Sequence, residues 1–208
     1  MVSATEQVLA AGVRAAIGLE DDSNLTKVYL PKSPDLVFQQ GSAAVTTTAD
    51  DPKLKLVAQA MAAVHLAAAA EAMTLGAKVG LDTRQLQEII ATAAGTSWMF
   101  VDRAPQMLSG KWQTKRTIED VISELVRLSP LLLLYLRRCP RPHAKPVLTF
   151  TQSEAIETAS QIKYPLHLAG TALQLFHLAA GRGLGTESDV AICRVWDGAW
   201  GSVFPRYS

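Results

Sequence analysis

Lys53-Leu54-Lys55-Leu56-Val57-Ala58-Gln59-Ala60-Met61-Ala62-Ala63-Val64-His65-Leu66, continuing as Ala67-Ala68-Ala69-Ala70-Glu71-Ala72-Met73-Thr74-Leu75-Gly76-Ala77-Lys78-Val79, decides the fold. Ala, Leu, Met, Lys and Gln are the strongest helix formers, and the run holds no proline and one glycine, Gly76. The alanines at 67–70 face every direction, which predicts a long helix buried nearly all round and approached closely by its neighbours. Working outward, Gly80 is a good residue to end this helix. Asp82 with Gln85 makes a cap for a second one over 83–93. Gly95-Thr96-Ser97 breaks the chain and re-caps it into Trp98–Arg103, a helix ending between Pro105 and Gly110, and Ile118–Leu125 reads as a fourth. Past residue 153 the helical pattern returns in Glu154–Lys163 and Leu166–Ala180, stopped by Gly181, Gly183 and Gly185. Asp189 is expected to cap a last helix, Val190–Trp196. Upstream, residues 5–17 read as a short amphipathic helix. Residues 18–50 hold many breakers and one weak strand, Lys27–Leu30. The chain is predicted to be mostly α.

The composition agrees. With 208 residues, 49% hydrophobic and 19% charged, the chain buries a core and is no disordered segment. Aromatic residues are 6%, so helices pack through Ala and Leu. A net charge of +1 argues against nucleic acid as a partner. Two cysteines fit a reducing, cytoplasmic compartment and no disulfide framework. The Met1–Glu6 start has neither the basic nor the apolar region of a signal peptide. The most apolar run, Leu128–Leu136, is broken by Pro130 and far short of the roughly twenty residues a bilayer needs, so no membrane span is expected.

Few residues carry a chemical signal. Lys55 and Gln59 lie one helical turn apart and share a face. A lysine in an apolar setting at a helix N-terminus suits proton transfer near neutral pH, although a solvated lysine at a helix end satisfies the same spacing. His65 and Glu71 point elsewhere, and His65 reads as a core residue. No His or Cys pair falls at metal-ligand spacing. Gly181-Arg182-Gly183-Leu184-Gly185 follows a helix and not a strand, the wrong order for a dinucleotide turn. Gly-x-Ser-x-Gly is absent. Trp98-Met99-Phe100 is either a substrate-facing patch or core.

Residues 52–110, with Lys55-Leu56-Val57-Ala58-Gln59, Gly95-Thr96-Ser97-Trp98-Met99-Phe100 and Arg103-Ala104-Pro105, resemble the C-terminal helical domain of the 3-hydroxyisobutyrate dehydrogenase family. The likeness is greatest to its L-threonate dehydrogenase-like branch. It resumes at Lys163-Tyr164-Pro165-Leu166 and runs through Gly185, Asp189 and Ile192 to Gly198. The resemblance implies a helical bundle like the C-terminal domain of 6-phosphogluconate dehydrogenase, preceded by a remnant of a Rossmann domain. It implies oxidation of a small 3-hydroxy acid such as L-threonate or 3-hydroxyisobutyrate with NAD or NADP, in a homodimer. Lys55 falls on the family's catalytic lysine and Gln59 on a substrate-binding position. Thr96, Ser97 and Trp98 are the further substrate-side residues. Ser123 and Glu124 stand where the family has a cofactor-side Lys-Asp. The first Asn of the family's lysine motif is Ala58 here, and the glycines before the lysine are replaced around Ala49–Pro52.

The implied domains are 1–50, remnant of the cofactor domain with linker, and 51–208, the helical domain. Met1–Ala4 is expected to be the end of a Rossmann strand, with the nucleotide-binding front absent and the chain incomplete. Residues 126–152 hold four prolines and no usable period. Their removal restores the family spacing to Tyr164-Pro165, so this stretch is expected to be an insertion, in origin a translated intron. Two rival readings stand beside the dehydrogenase: a catalytically inactive dimerisation domain of a degenerate paralogue, and a helical small-molecule binder.

Overall fold

The structure, a computed structural model, describes residues 1–29, 52–112, 114–125 and 166–197. The expected insertion at 126–152, the helix over 154–163 and the linker from residue 30 lie outside the described residues. Helix α1 is Val2–Arg14, a 3-10 turn spans Asp22–Leu25, and α2 is Thr26–Tyr29. Then follow α3, Pro52–Lys78; α4, Thr83–Thr92; α5, Trp98–Ser109; α6, Ile118–Leu125; and α7, His167–Ala179. A π turn over Ala180–Leu184 and a 3-10 helix over Asp189–Trp196 close the described chain. Among the described residues the β pairing amounts to one antiparallel bridge, Thr117 to Ser188.

Helix α3 is the axle. Helices α5, α7 and the last 3-10 helix pack directly on it, α4 and α6 also touch it, and α1 lies against α7. Ala63, Leu66, Ala67, Ala70 and Met73 on α3 are fully buried, as are Val121, Phe176 and Ile192 on the elements around it. Small residues along α3 let those neighbours come close. At Gly76 an added Cβ would overlap Leu86 Cδ2, so the glycine leaves room for that α4 side chain against α3.

Caps placed from sequence hold in two cases. Asp82 accepts from the backbone N–H groups of Arg84 and Gln85, and Ser97 Oγ accepts from that of Phe100. A third cap is legible only in hindsight. The Thr117 hydroxyl accepts from Asp120 N–H while the Asp120 carboxylate accepts from Thr117 N–H, a reciprocal capping box at the start of α6. Those bonds hold the Asp120 carboxyl below the usual carboxylate range.

Four expectations are corrected. Met1–Ala4 ends no strand, because α1 begins at Val2, and this helix is shifted toward the N-terminus from residues 5–17. Lys27–Tyr29 is helical, wound on from the 3-10 turn that Asp21 caps at Ser23 N–H, with no strand beside it among the described residues. Asp189 caps nothing; Ser188 accepts from Val190 N–H instead, and Asp189 is turned into the protein. Helix α3 is not buried all round: Val57, Met61 and Leu75 are each more than half exposed. Helix α5 ends at Ser109 with Gly110 as its left-handed cap at φ 66°, inside the expected window from Pro105 to Gly110. The π turn after α7 does bear out the glycine stop, with Gly183 at φ 83°.

Candidate functional site

Lys55 stands exposed on the first turn of α3, and Gln59, one turn on, is half-buried. This is the geometry their spacing implies: a cation and an amide one turn apart on one helix, the amide offering both donors and an acceptor to a small polar molecule. Ala58 between them is exposed and adds no polar atom. His65 is half-buried two turns further along, short of the full burial expected of a core histidine, and Glu71 is half-buried beyond it.

Thr96, Ser97 and Trp98 form the turn that opens α5, the helix packed along α3. The aromatic patch divides. Met99 and Phe100 are core, whereas Trp98 is 72% exposed, so the indole alone is presented outward. Thr96 is exposed, and the Ser97 hydroxyl is already engaged as the helix cap. These residues therefore sit at an accessible helix start, with Trp98 as the large apolar surface.

Ser123 and Glu124 lie on the last turn of α6. Ser123 Oγ donates to its own helix at the Asp120 carbonyl, 2.9 Å away, and the Glu124 carboxylate is paired with Arg116. Neither presents a cation to a phosphate. Residues in this state do not fit the anchoring of a dinucleotide pyrophosphate, and no chemistry is routed through them.

The residues that reasoning from sequence missed form a buried ionic cluster. Asp189, at 0% exposure, faces Arg103 Nε at 3.3 Å and Arg116 Nη1 at 3.8 Å. Arg103 also pairs with Asp102 and reaches Thr114, while Arg116 pairs with Glu124. Burial pushes the Asp189 carboxyl above the ordinary carboxylate range, and the two guanidinium groups pull it only part of the way back. The cluster ties α5, the segment before α6 and the last 3-10 helix into one unit. Spacing carries no signal for it, because Arg103 and Asp189 are 86 residues apart in the chain. Cys193 in the same 3-10 helix is buried and its thiol is pushed up to about 12, so it is no nucleophile. Among the described residues no group of His, Cys, Asp and Glu could hold a metal ion.

The bundle wound on one long alanine-rich helix is similar to part of a solved 3-hydroxyisobutyrate dehydrogenase. Residues 52–123 match the family model described as NAD-binding of NADP-dependent 3-hydroxyisobutyrate dehydrogenase, and this segment belongs to that family. The chain is similar to the L-threonate dehydrogenase of Cupriavidus necator, 32% identical over 146 residues that make up 70% of this chain and 40% of that protein. The L-threonate dehydrogenase of Haemophilus influenzae is 29% identical over 145 residues, 70% of this chain and 39% of its own length. Among solved structures it is similar to a 3-hydroxyisobutyrate dehydrogenase from Salmonella typhimurium. That likeness has a TM-score of 0.52 at 29% identity and covers 69% of this chain and 41% of that one. The chain thus spans about two fifths of the length of the relatives it matches. The family match implies a nicotinamide cofactor.

Proposed function

We propose that this chain is the helical part of an NAD- or NADP-dependent dehydrogenase acting on a small 3-hydroxy acid of the L-threonate or 3-hydroxyisobutyrate kind, working in the cytoplasm as a homodimer. The observation that carries the reading is the family match over 52–123, with Lys55 and Gln59 in place at the start of the axle helix. In that role Lys55 is the general acid/base that takes the substrate hydroxyl proton. Gln59 and the Thr96-Ser97-Trp98 turn position substrate groups. The nicotinamide cofactor supplies the hydride acceptor when bound.

Titration with NADH and NADPH, followed by nicotinamide fluorescence in the presence of L-threonate, tests it. The dehydrogenase reading requires saturable binding of one of the two, even where turnover is negligible. No binding by either cofactor overturns the reading in favour of an inactive dimerisation domain. That second reading is supported by one set of observations: Ser123 and Glu124 are engaged within the protein, and Ala58 stands at a polar position of the motif.

A further inference from the structure

Between α5 and α6 the chain reads Lys111-Trp112-Gln113-Thr114-Lys115-Arg116, three cations in six positions around one threonine. Trp112 packs against the core and pins this connection, while Lys111 and Lys115 stand exposed on either side of it. Thr114 is half-buried. Its hydroxyl accepts from the Arg103 guanidinium, Nη2 at 3.4 Å, and from the backbone N–H of Arg116 at 3.2 Å. The hydroxyls of Ser97 and Thr117 are spent on helix ends, each accepting from a first-turn N–H. Of these three, only the Thr114 oxygen faces a guanidinium.

That guanidinium also holds the buried carboxylate. Arg103 Nη2 donates to both Thr114 and Asp189, so the threonine and the aspartate share one cation. The contacts to Asp189 are long, 3.3 Å from Arg103 and 3.8 Å from Arg116, where a close charge-assisted bond measures about 2.7–2.9 Å. Arg103 Nε and Arg116 Nε are buried and, among the described residues, meet no hydrogen-bond acceptor. Both arginines therefore keep donor capacity that the carboxylates do not use. Thr114 also lies at a seam. Asp189 N–H donates to the Arg116 carbonyl at 2.8 Å and Ile118 N–H to the Glu187 carbonyl at 3.0 Å, which fastens the last 3-10 helix to the segment that follows Thr114.

We infer that Thr114 is a phosphorylation site whose phosphate takes Arg103 from Asp189 and loosens the last 3-10 helix. Lys111, Lys115 and Arg116 suit a serine/threonine kinase that recognises cations on both sides of its target. In the transfer the Thr114 oxygen forms a bond to the γ-phosphorus of ATP as the bond to the β-phosphate oxygen breaks. ADP leaves, and the hydroxyl proton goes to the kinase's catalytic carboxylate. The phosphate brings about −1.5 to −2 charges at pH 7 and three strong acceptor oxygens. The cluster already sets three carboxylates, Asp102, Asp189 and Glu124, against two guanidiniums. The added charge is therefore met only by withdrawing a cation from one of them. Asp189, at 0% exposure, has no water to turn to in exchange, so the loss falls on the element that carries it. This switch is independent of the dehydrogenase reading.

The test incubates the whole chain with Mg-ATP and the catalytic domain of protein kinase C, beside a peptide of residues 110–116, and maps the products by mass spectrometry. Phosphate on Thr114 is expected in both. In the phosphorylated chain the amides of residues 187–195 should exchange hydrogen roughly tenfold faster, with those of α4 unchanged. The phosphorus NMR signal should titrate below the ordinary value of about 6, because Arg103 holds the dianion, and Arg103→Lys should move it back toward that value. Failure of either the chain or the peptide to take phosphate at Thr114 overturns the site. A phosphorylated chain whose exchange at 187–195 is unchanged, or whose phosphate titrates at the ordinary value, overturns the switch.

Discussion

At the scale of single residues, the strongest interactions in the described chain are those around Asp189. A buried carboxylate is tolerable only while its counter-charges remain. Arg103 is the nearer of the two and has only 11% of its side chain exposed. Arg103→Met is expected to cost about 3 kcal/mol at pH 7, since removing one partner of a buried ion pair leaves the other uncompensated. The pH dependence has a definite sign. Asp189 already titrates above its unfolded value, so the stability that goes with the protonated carboxyl is complete below the unfolded value and is lost as pH rises through the folded one. Without Arg103 that folded value rises further. The deficit of the variant against the parent should therefore be smallest near pH 4 and grow toward pH 7 in urea denaturation. A deficit independent of pH would show that Arg103 acts through packing alone. Lys55 illustrates the opposite case: its position on the helix is legible from spacing, whereas its exposure, which bears on how it would exchange protons, is a property of the fold.

At the scale of elements, helix ends are written in two or three residues and are correspondingly easy to read. Asp82 and Ser97 could be placed in advance because a short polar side chain must meet the unpaired N–H groups of a first turn. Asp189 misled for the same reason: Ser188, one residue earlier, fills that role, and an aspartate at a helix start looks the same whether it caps or turns inward. Ser97→Ala is expected to lower stability by about 1 kcal/mol, measured as a shift in the urea midpoint, with Ser97→Asn restoring most of it. Restoration by asparagine would assign the effect to the cap. If Ser97→Asn is as unstable as Ser97→Ala, the serine acts by some other contact. The opening of α5 matters to the proposed site, because the same turn presents Trp98 to solvent while sending Met99 and Phe100 into the core.

At the scale of the whole molecule, two expectations concern what the chain does as a unit. Pro130, Pro140, Pro142 and Pro146 are the ground in the sequence for expecting residues 126–152 to be an insertion. Deletion of 126–152 is expected to leave the melting temperature unchanged or raise it, and a cooperative loss of several degrees would make these residues part of the fold. The second concerns turnover. Hydride transfer requires the two reacting groups to be held within about 3–3.5 Å, and such positioning is worth about 7–11 kcal/mol in well-oriented systems. The 208 residues contain no Gly-x-Gly-x-x-Gly turn to hold a pyrophosphate. An acid/base such as Lys55 supplies only about 10²–10⁴-fold. The positioning deficit is the larger effect, so this chain assayed alone is expected to show negligible oxidation of L-threonate or 3-hydroxyisobutyrate. Steady NADH or NADPH production that Lys55→Ala abolishes would contradict this.

By itself the sequence determined the helical class, the axle helix over Pro52–Lys78, most of the element ends after it, and the position of Lys55 and Gln59 on one face. These are local matters: propensity, caps and a 3.6-residue period act within a few residues and leave their mark there. It also carried the family's pattern over residues 52–123, because fifty-odd side chains in order are information of the same local kind. Tertiary structure decided the rest. Only packing could show that the alanine-rich helix leaves Val57, Met61 and Leu75 uncovered, since composition says which residues prefer burial and not which neighbours arrive to bury them. Only packing could bring Arg103 and Arg116 to Asp189, because a charge pair between distant segments leaves no periodic trace in either. The fold also turned Arg116 onto Glu124, where the linear pattern had offered that carboxylate to a ligand.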